Sequence, residues 1–220
     1  MDFKTVVSIL WAGLLETLEM VLVSTVMGYA IGLPVGVLLT VSDAGGLRPR
    51  PMLYRAIDLC VNIFRSIPFL ILLIMLIPVT KLVVGKSFGT TATIVPLTVA
   101  AAPFIARMVE SSLKEVDHGV IEAAQSRGAS KRTIIWKVLI GEARTSLLVG
   151  VTIALGTILG YSAMAGIVGG GGLGDIAIRY GYYRWDTRTM LITVVVLVVL
   201  MQVLQAIGNL LSKKIDRRRV

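Results

Sequence analysis

The chain has a single cysteine and a single histidine in 220 residues. Because Cys60 stands in an apolar run with no second thiol, it forms neither an intrachain disulfide nor a Cys-x-x-Cys pair. With His118 as the lone imidazole, no histidine-based dyad, triad or zinc site can be built inside a membrane. Charged residues make up only 16% of the chain against 55% hydrophobic, and the mean hydropathy is +0.84. These values exclude an ordinary soluble domain and predict a membrane protein with lipid around it. The charge that remains is basic, at a formal +9. Cytoplasmic loops of polytopic proteins retain Lys and Arg, so this excess needs no nucleic-acid partner.

What is abundant is long apolar sequence. Five runs, at about 18–41, 57–79, 91–112, 146–168 and 189–211, are separated by Gly, Pro and charged clusters, and each suits a spanning segment of about 20 residues. They lack the alternation of an outer-membrane barrel, so the expected fold class is an all-α polytopic membrane protein, one domain over 1–220. Before the first run, Phe3 to Leu15 has the length of a signal-peptide core but no small-residue cleavage site follows. It reads as an interfacial or outward-facing helix that stays attached, set off from the first span by Glu16, Thr17 and Glu19.

Basic residues fix the expected orientation. Fifteen fall on one side: Arg48, Arg50 and Arg55, the seven from Arg107 to Arg144, and the tail from Lys213 to Arg219. Six, namely Lys4, Lys81, Lys86, Arg179, Arg184 and Arg188, fall on the other, with Arg65 inside the second span. The richer side is cytoplasmic, which places the C-terminus and the loop 113–145 inside and the N-terminus outside.

The spans hold little that could power transport. The first after Glu19, the fourth and the fifth contain no charged residue, whereas ion-coupled carriers need buried carboxylates or unwound coordination sites. Arg65 lies well inside a run, beside Asn62 and Ser66, where helix packing, snorkelling, substrate contact and contact with the inner loop are all compatible with its position. Arg107 and Glu110, three apart, fit a local ion pair. Gly85-Lys86-Ser87 lacks the first glycine of a phosphate-binding loop. Gly169, Gly171 and Gly174 have a dinucleotide-motif spacing but follow an apolar helix instead of a strand, so they read as a flexible or sharply bent outward segment. No catalytic constellation, metal site or cofactor is expected, and energy has to come from another protein.

The loop 113–145 should contain helices, since long structureless loops are uncommon in compact folds. Gly119 can break the third helix; Val120 and Ile121 begin an apolar patch; Ala123 and Ala124 favour helix while leaving a shallow surface. Glu122 suits the N-terminal dipole, Arg127 adds charge, and Gly128 ends the element. Ser130 is the expected N-cap of an amphipathic connector running to Leu139. On spacing alone this is a docking surface or an ordinary interfacial loop.

Glu122-Ala123-Ala124, three residues and then Gly128, resembles the signature loop of binding-protein-dependent ABC importer permeases, whose short coupling helix seats in a cleft of the ATPase subunit. The family pattern continues nine residues after the glycine as Ile-x-Leu-Pro; here Val138-Leu139-Ile140-Gly141 lacks the proline. The segments 62–69, 94–98, 102–110 and 160–164 are similar to the permeases of bacterial methionine importers over nearly the whole chain. The resemblance implies a type I importer fold with five spans in the bacterial inner membrane, assembled as a homodimer. It further implies two copies of an ABC ATPase subunit, an extracytoplasmic binding protein, and alternating access with no covalent chemistry in this chain. Tyr161, Ser162 and Met164 place a phenol, a hydroxyl and a thioether near the outer end of the fourth span, and are the candidate path or gate, with core packing as the competing role. A permease for another small amino acid and a secondary carrier remain alternatives.

Overall fold

The computed structural model describes residues 3–215, so Arg217, Arg218 and Arg219 of the basic tail lie outside the described residues. Every regular element among the described residues is helical: α1 (Phe3–Ser42), α2 (Pro51–Ser66), α3 (Phe69–Met75), α4 (Ile77–Val84), α5 (Thr90–Lys114), α6 (His118–Ser126), α7 (Lys131–Thr133), α8 (Ile140–Glu142), α9 (Arg144–Ala165), α10 (Gly172–Ile176) and α11 (Thr187–Ile215). Two π-helical stretches, Ile134–Leu139 and Ala177–Tyr182, and a 3-10 turn, Gly166–Val168, complete the path.

Among the described residues four helices are long and apolar enough to cross a membrane, and a fifth crossing is available as a bent pair, α2 with α3, which meet at 98°. The second run is therefore not one straight span. Pro68 lacks an N–H and forces Ile67 into an extended conformation (φ −79, ψ 122), which ends α2 and redirects the chain. The first run departs from expectation in the opposite sense. Phe3 to Ser42 is one uninterrupted helix of 40 residues, roughly 60 Å long at 1.5 Å per residue. Glu16, Thr17 and Glu19 do not interrupt it, because Glu propagates a helix readily and the Thr17 hydroxyl donates to the Gly13 carbonyl one turn back at 2.8 Å.

The core is built where α1 lies on α5. Gly28, Gly32 and Gly36 recur every four residues and present bare backbone to α5. A methyl on Gly32 would lie 2.6 Å from the Ala102 carbonyl oxygen, and one on Gly36 2.5 Å from that of Ala106. Small residues at this spacing let two helices approach closely where lipid supplies no hydrophobic drive. Met20, Leu97, Ile105, Val109 and Ile158 fill the interior around the contact.

The glycine quartet is bent and anchored. Gly169, Gly171 and Gly172 adopt positive φ of 76°, 82° and 74°, a region open to glycine at no steric cost. The Gly169 carbonyl accepts from Gly89 N–H at 3.0 Å, and the Gly170 carbonyl accepts from the Thr93 hydroxyl at 3.1 Å. The Glu16 carboxylate accepts from Gly172 N–H at 2.6 Å, and the Thr17 hydroxyl from Leu173 N–H at 2.9 Å. Glu16 and Thr17 of α1 thus satisfy the amides of a distant loop.

Candidate docking helix and its supporting network

α6 is short, and none of its residues is buried. Asp117 is its N-cap, and the carboxylate accepts from Gly119 N–H at 2.7 Å. Gly119 consequently lies within α6 and does not break the preceding helix: α5 stops at Lys114, with Glu115 as its cap. At the other end Arg127 is the cap, and Gly128 turns the chain at φ 76°, as expected. Only Glu115, Val116 and Asp117 join α5 to α6, and Val116 is buried in the main core.

The two faces of α6 differ. Ile121 packs against the chain's own core, and with His118 and Gln125 it lines a small cleft against the loop after α1. Ala124 is half-buried, while Val120, Glu122, Ala123, Arg127 and Gly128 are exposed. Ile121 is thus the one predicted docking residue that holds α6 to its own chain. The connector begins at Ser130, whose hydroxyl accepts from Thr133 N–H at 3.2 Å. Ile134 and Leu139 are buried and Trp136 is exposed, the amphipathic pattern expected. Its middle widens into a π-helical turn, with Ile140 N–H bonded to the Ile135 carbonyl. Gly141 does not interrupt α8, and the chain passes through Ala143 (φ −78, ψ −2) into α9.

Beside α6 the loop-side ends of α1, α2 and α5 are tied by charge. The buried Glu110 carboxylate receives Arg107 Nη1 at 2.6 Å, Lys114 Nζ at 2.8 Å and the Tyr54 hydroxyl at 3.1 Å. Lys114 also contacts Asp43 at 2.8 Å. Arg107 reaches across to Asp58 and donates to the Asn62 side-chain oxygen Oδ1 at 2.9 Å. The hydrogen bond from Lys114 holds the Asp43 carboxyl below its ordinary range, with a further contribution from Ala44 N–H. The local pair of Arg107 and Glu110 is therefore part of a network of three carboxylates and two cations. Sequence reading missed Asp43, Tyr54 and Asp58, because their partners lie 49 to 71 positions away. The one available signal was Asp58 at the start of an apolar run.

The polar trio of the second run separates. Asn62 joins the network, the Ser66 hydroxyl donates to the Asn62 carbonyl at 2.8 Å, and Arg65 is exposed with no ion pair among the described residues. In α9, Tyr161 stacks on Phe69 with centroids 4.5 Å apart. Ser162 is buried and donates to the Leu159 carbonyl at 2.8 Å, while Met164 is exposed. The structure brings Tyr161 to α3 and leaves Ser162 facing its own helix.

Comparison with known proteins places this architecture. Residues 32–219 match the family model described as binding-protein-dependent transport system inner membrane component. A probable D-methionine transport system permease protein from Vibrio cholerae is 53% identical over 203 residues, covering 92% of this chain and 90% of that protein. The D-methionine transport system permease protein of Escherichia coli is 54% identical over 154 residues, 70% of this chain and 71% of that protein. A crystal form of the MetNI methionine ABC transporter in inward-facing conformations contains a chain that superposes with a TM-score of 0.96 at 47% identity, covering 99% of this chain and 100% of that one. An amino acid ABC transporter solved with histidines shares the fold, at a TM-score of 0.78 and 20% identity over 97% of this chain and 99% of that one.

Proposed function

Since this chain belongs to the binding-protein-dependent transport system inner membrane component family, we propose that it is the membrane-spanning permease subunit of an ATP-driven methionine importer. Two copies form the pore and two ATPase subunits dock on the exposed face of α6. An extracytoplasmic binding protein delivers methionine on the opposite side. The orientation follows the charge distribution, with α6 and the C-terminus in the cytoplasm and the N-terminus outside.

The observation that carries this reading is α6 itself: a helix capped at both ends, exposed along one face, and joined to α5 by three residues of which the middle one is buried. A push on Val120, Glu122, Ala123 or Arg127 is delivered to α5 with little slack. The network around Glu110 then passes it to the ends of α1 and α2. ATP binding draws the two α6 helices together and opens the pore outward, and hydrolysis resets it; this chain breaks no bond. At the far end of α9, Met164 and the Tyr161–Phe69 stack form the gate, with Ser162 as packing.

The test is reconstitution. Vesicles holding this chain with its ATPase and binding protein should accumulate methionine only with ATP inside, and this chain alone should accumulate none. Glu122→Arg and Gly128→Leu should each abolish co-purification of the ATPase. Normal assembly in both variants would sink the docking role.

A further inference from the structure

The turn between the π-helical stretch Ala177–Tyr182 and α11 carries aromatic rings that its own chain leaves uncovered. Tyr182, Tyr183 and Trp185 are 61%, 65% and 86% exposed. Trp185 is also the one described residue other than glycine with a positive φ, 57°, a conformation that is strained for a bulky side chain. Hydrogen bonds hold it there. Asp186 N–H donates to the Tyr180 carbonyl at 3.3 Å, and the Asp186 carboxylate caps α11, accepting from Thr189 N–H at 3.1 Å and from the Thr189 hydroxyl at 2.8 Å. The Arg184 guanidinium lies over the Tyr180 ring, 4.8 Å from its centroid. Arg179 is paired with Asp175, but among the described residues no carboxylate pairs with Arg184 or Arg188.

α11 fixes the depth of this cluster. It is the least buried of the four long helices, and exposed apolar side chains follow it from Leu191 to Leu211, with Gln202 and Asn209 the only exposed polar ones between them. That run rises roughly 30 Å at 1.5 Å per residue, the thickness of a bilayer's hydrocarbon core. Arg188 stands just beyond it at one end and Lys213 at the other, so the turn 182–188 falls in the headgroup layer. Indole and phenol rings, apolar in body and polar at the tip, favour that layer, and a guanidinium suits phosphate through paired N–H donors. We propose that the turn 182–188 is a lipid anchor: Tyr182, Tyr183 and Trp185 insert among phospholipid headgroups, and Arg184 and Arg188 bind their phosphates, with a preference for lipids of net negative charge. The anchor sets the depth of α11, which packs along α9 with Gly156 against Met201 and Gly208 against Thr152. It requires only that α11 cross the membrane, whatever the chain transports.

The experiment uses the full chain with Trp11→Phe and Trp136→Phe, two exposed positions, which leave Trp185 as the sole indole. It is reconstituted into vesicles that contain brominated phospholipid, because bromine quenches indole fluorescence on contact. Bromine near the carbonyl end of the acyl chain should remove most of the Trp185 emission, and bromine near the terminal methyl little of it. At equal small fractions in a phosphatidylcholine background, brominated phosphatidylglycerol should quench more than brominated phosphatidylcholine, with a preference of roughly fivefold for each arginine at an anionic surface. Arg184→Gln combined with Arg188→Gln should abolish that preference and keep the dependence on bromine depth. Quenching strongest from the methyl end, or absent from both positions as for a ring in water or against another protein, overturns the anchor. Equal quenching by the two headgroups, or a preference that survives the double arginine variant, overturns the phosphate contacts and the proposal with them.

Discussion

Glu110, at 2% exposure, receives Lys114 Nζ at 2.8 Å from one turn along its own helix, and the same ammonium lies 2.8 Å from Asp43 at the end of α1. A single lysine therefore joins a buried carboxylate to a neighbouring helix terminus. A buried charge left without its partner costs far more than a surface pair gains.

Removing the hub should expose that asymmetry. Glu110→Ala leaves Arg107 with Asp58 alone and Lys114 with Asp43 alone, and frees the Tyr54 hydroxyl. Both cations keep partial contact with solvent, so the expected loss is about 1–3 kcal/mol, read from thermal unfolding in detergent. ATPase co-purification should survive, because α6 carries its own caps, while uptake per ATP hydrolysed falls. Equal losses of hydrolysis and uptake would argue against a transmitting role.

The Asp43–Lys114 contact sets a direction with pH. Its folded-state pKa is depressed, so the stabilisation is present above the ordinary carboxylate value of about 3.9 and is lost as pH falls through the lower folded value. The difference in Tm between the native chain and Asp43→Asn should stay constant from about pH 5 to 8 and shrink below about pH 4. A difference that grows on acidification would contradict the assignment.

Two glycines should behave in opposite ways. Gly32→Ala drives a methyl to 2.6 Å from the Ala102 carbonyl oxygen, and overpacking of this kind costs about 1–3 kcal/mol. Gly141→Ala meets nothing within 4 Å and gains helix propensity, so it should be neutral or stabilising by up to ~1 kcal/mol. Parallel unfolding curves compare them directly.

Glu16→Ala should loosen the glycine loop without disturbing α1. Its carboxylate bonds Gly172 N–H at 2.6 Å, so amide hydrogen exchange at 171–173 should accelerate while exchange within α1 stays slow. Uniform acceleration along α1 would show that Glu16 supports the helix instead.

Local signals carried much of this structure. α5, α9 and α11 lie where apolar length places them, Ser130 caps the connector and Gly128 ends α6, because each depends on neighbours within a turn. The misreadings share a cause in distant or competing partners. Glu16 and Thr17 look like a break in α1 until the amides of Gly172 and Leu173, 156 residues away, arrive to bond them. Gly119 looks like the breaker until Asp117 claims the cap. The Gly28, Gly32, Gly36 stripe went unread, because nothing local marks its partner face on α5. The exposed face of α6 was legible except for Ile121, whose inward turn is set by the packing of α6 on the core.

The 98° turn between α2 and α3 has an electrical consequence. Backbone that leaves the helix at membrane depth is tolerated only where protein or water meets its polar groups, and Arg65 stands three residues before Pro68. Where water and not protein meets those groups, it thins the insulating layer at the corner, so more of the membrane voltage drops across the remaining apolar length. A charged side chain at the corner then feels a steeper field than its sequence depth implies.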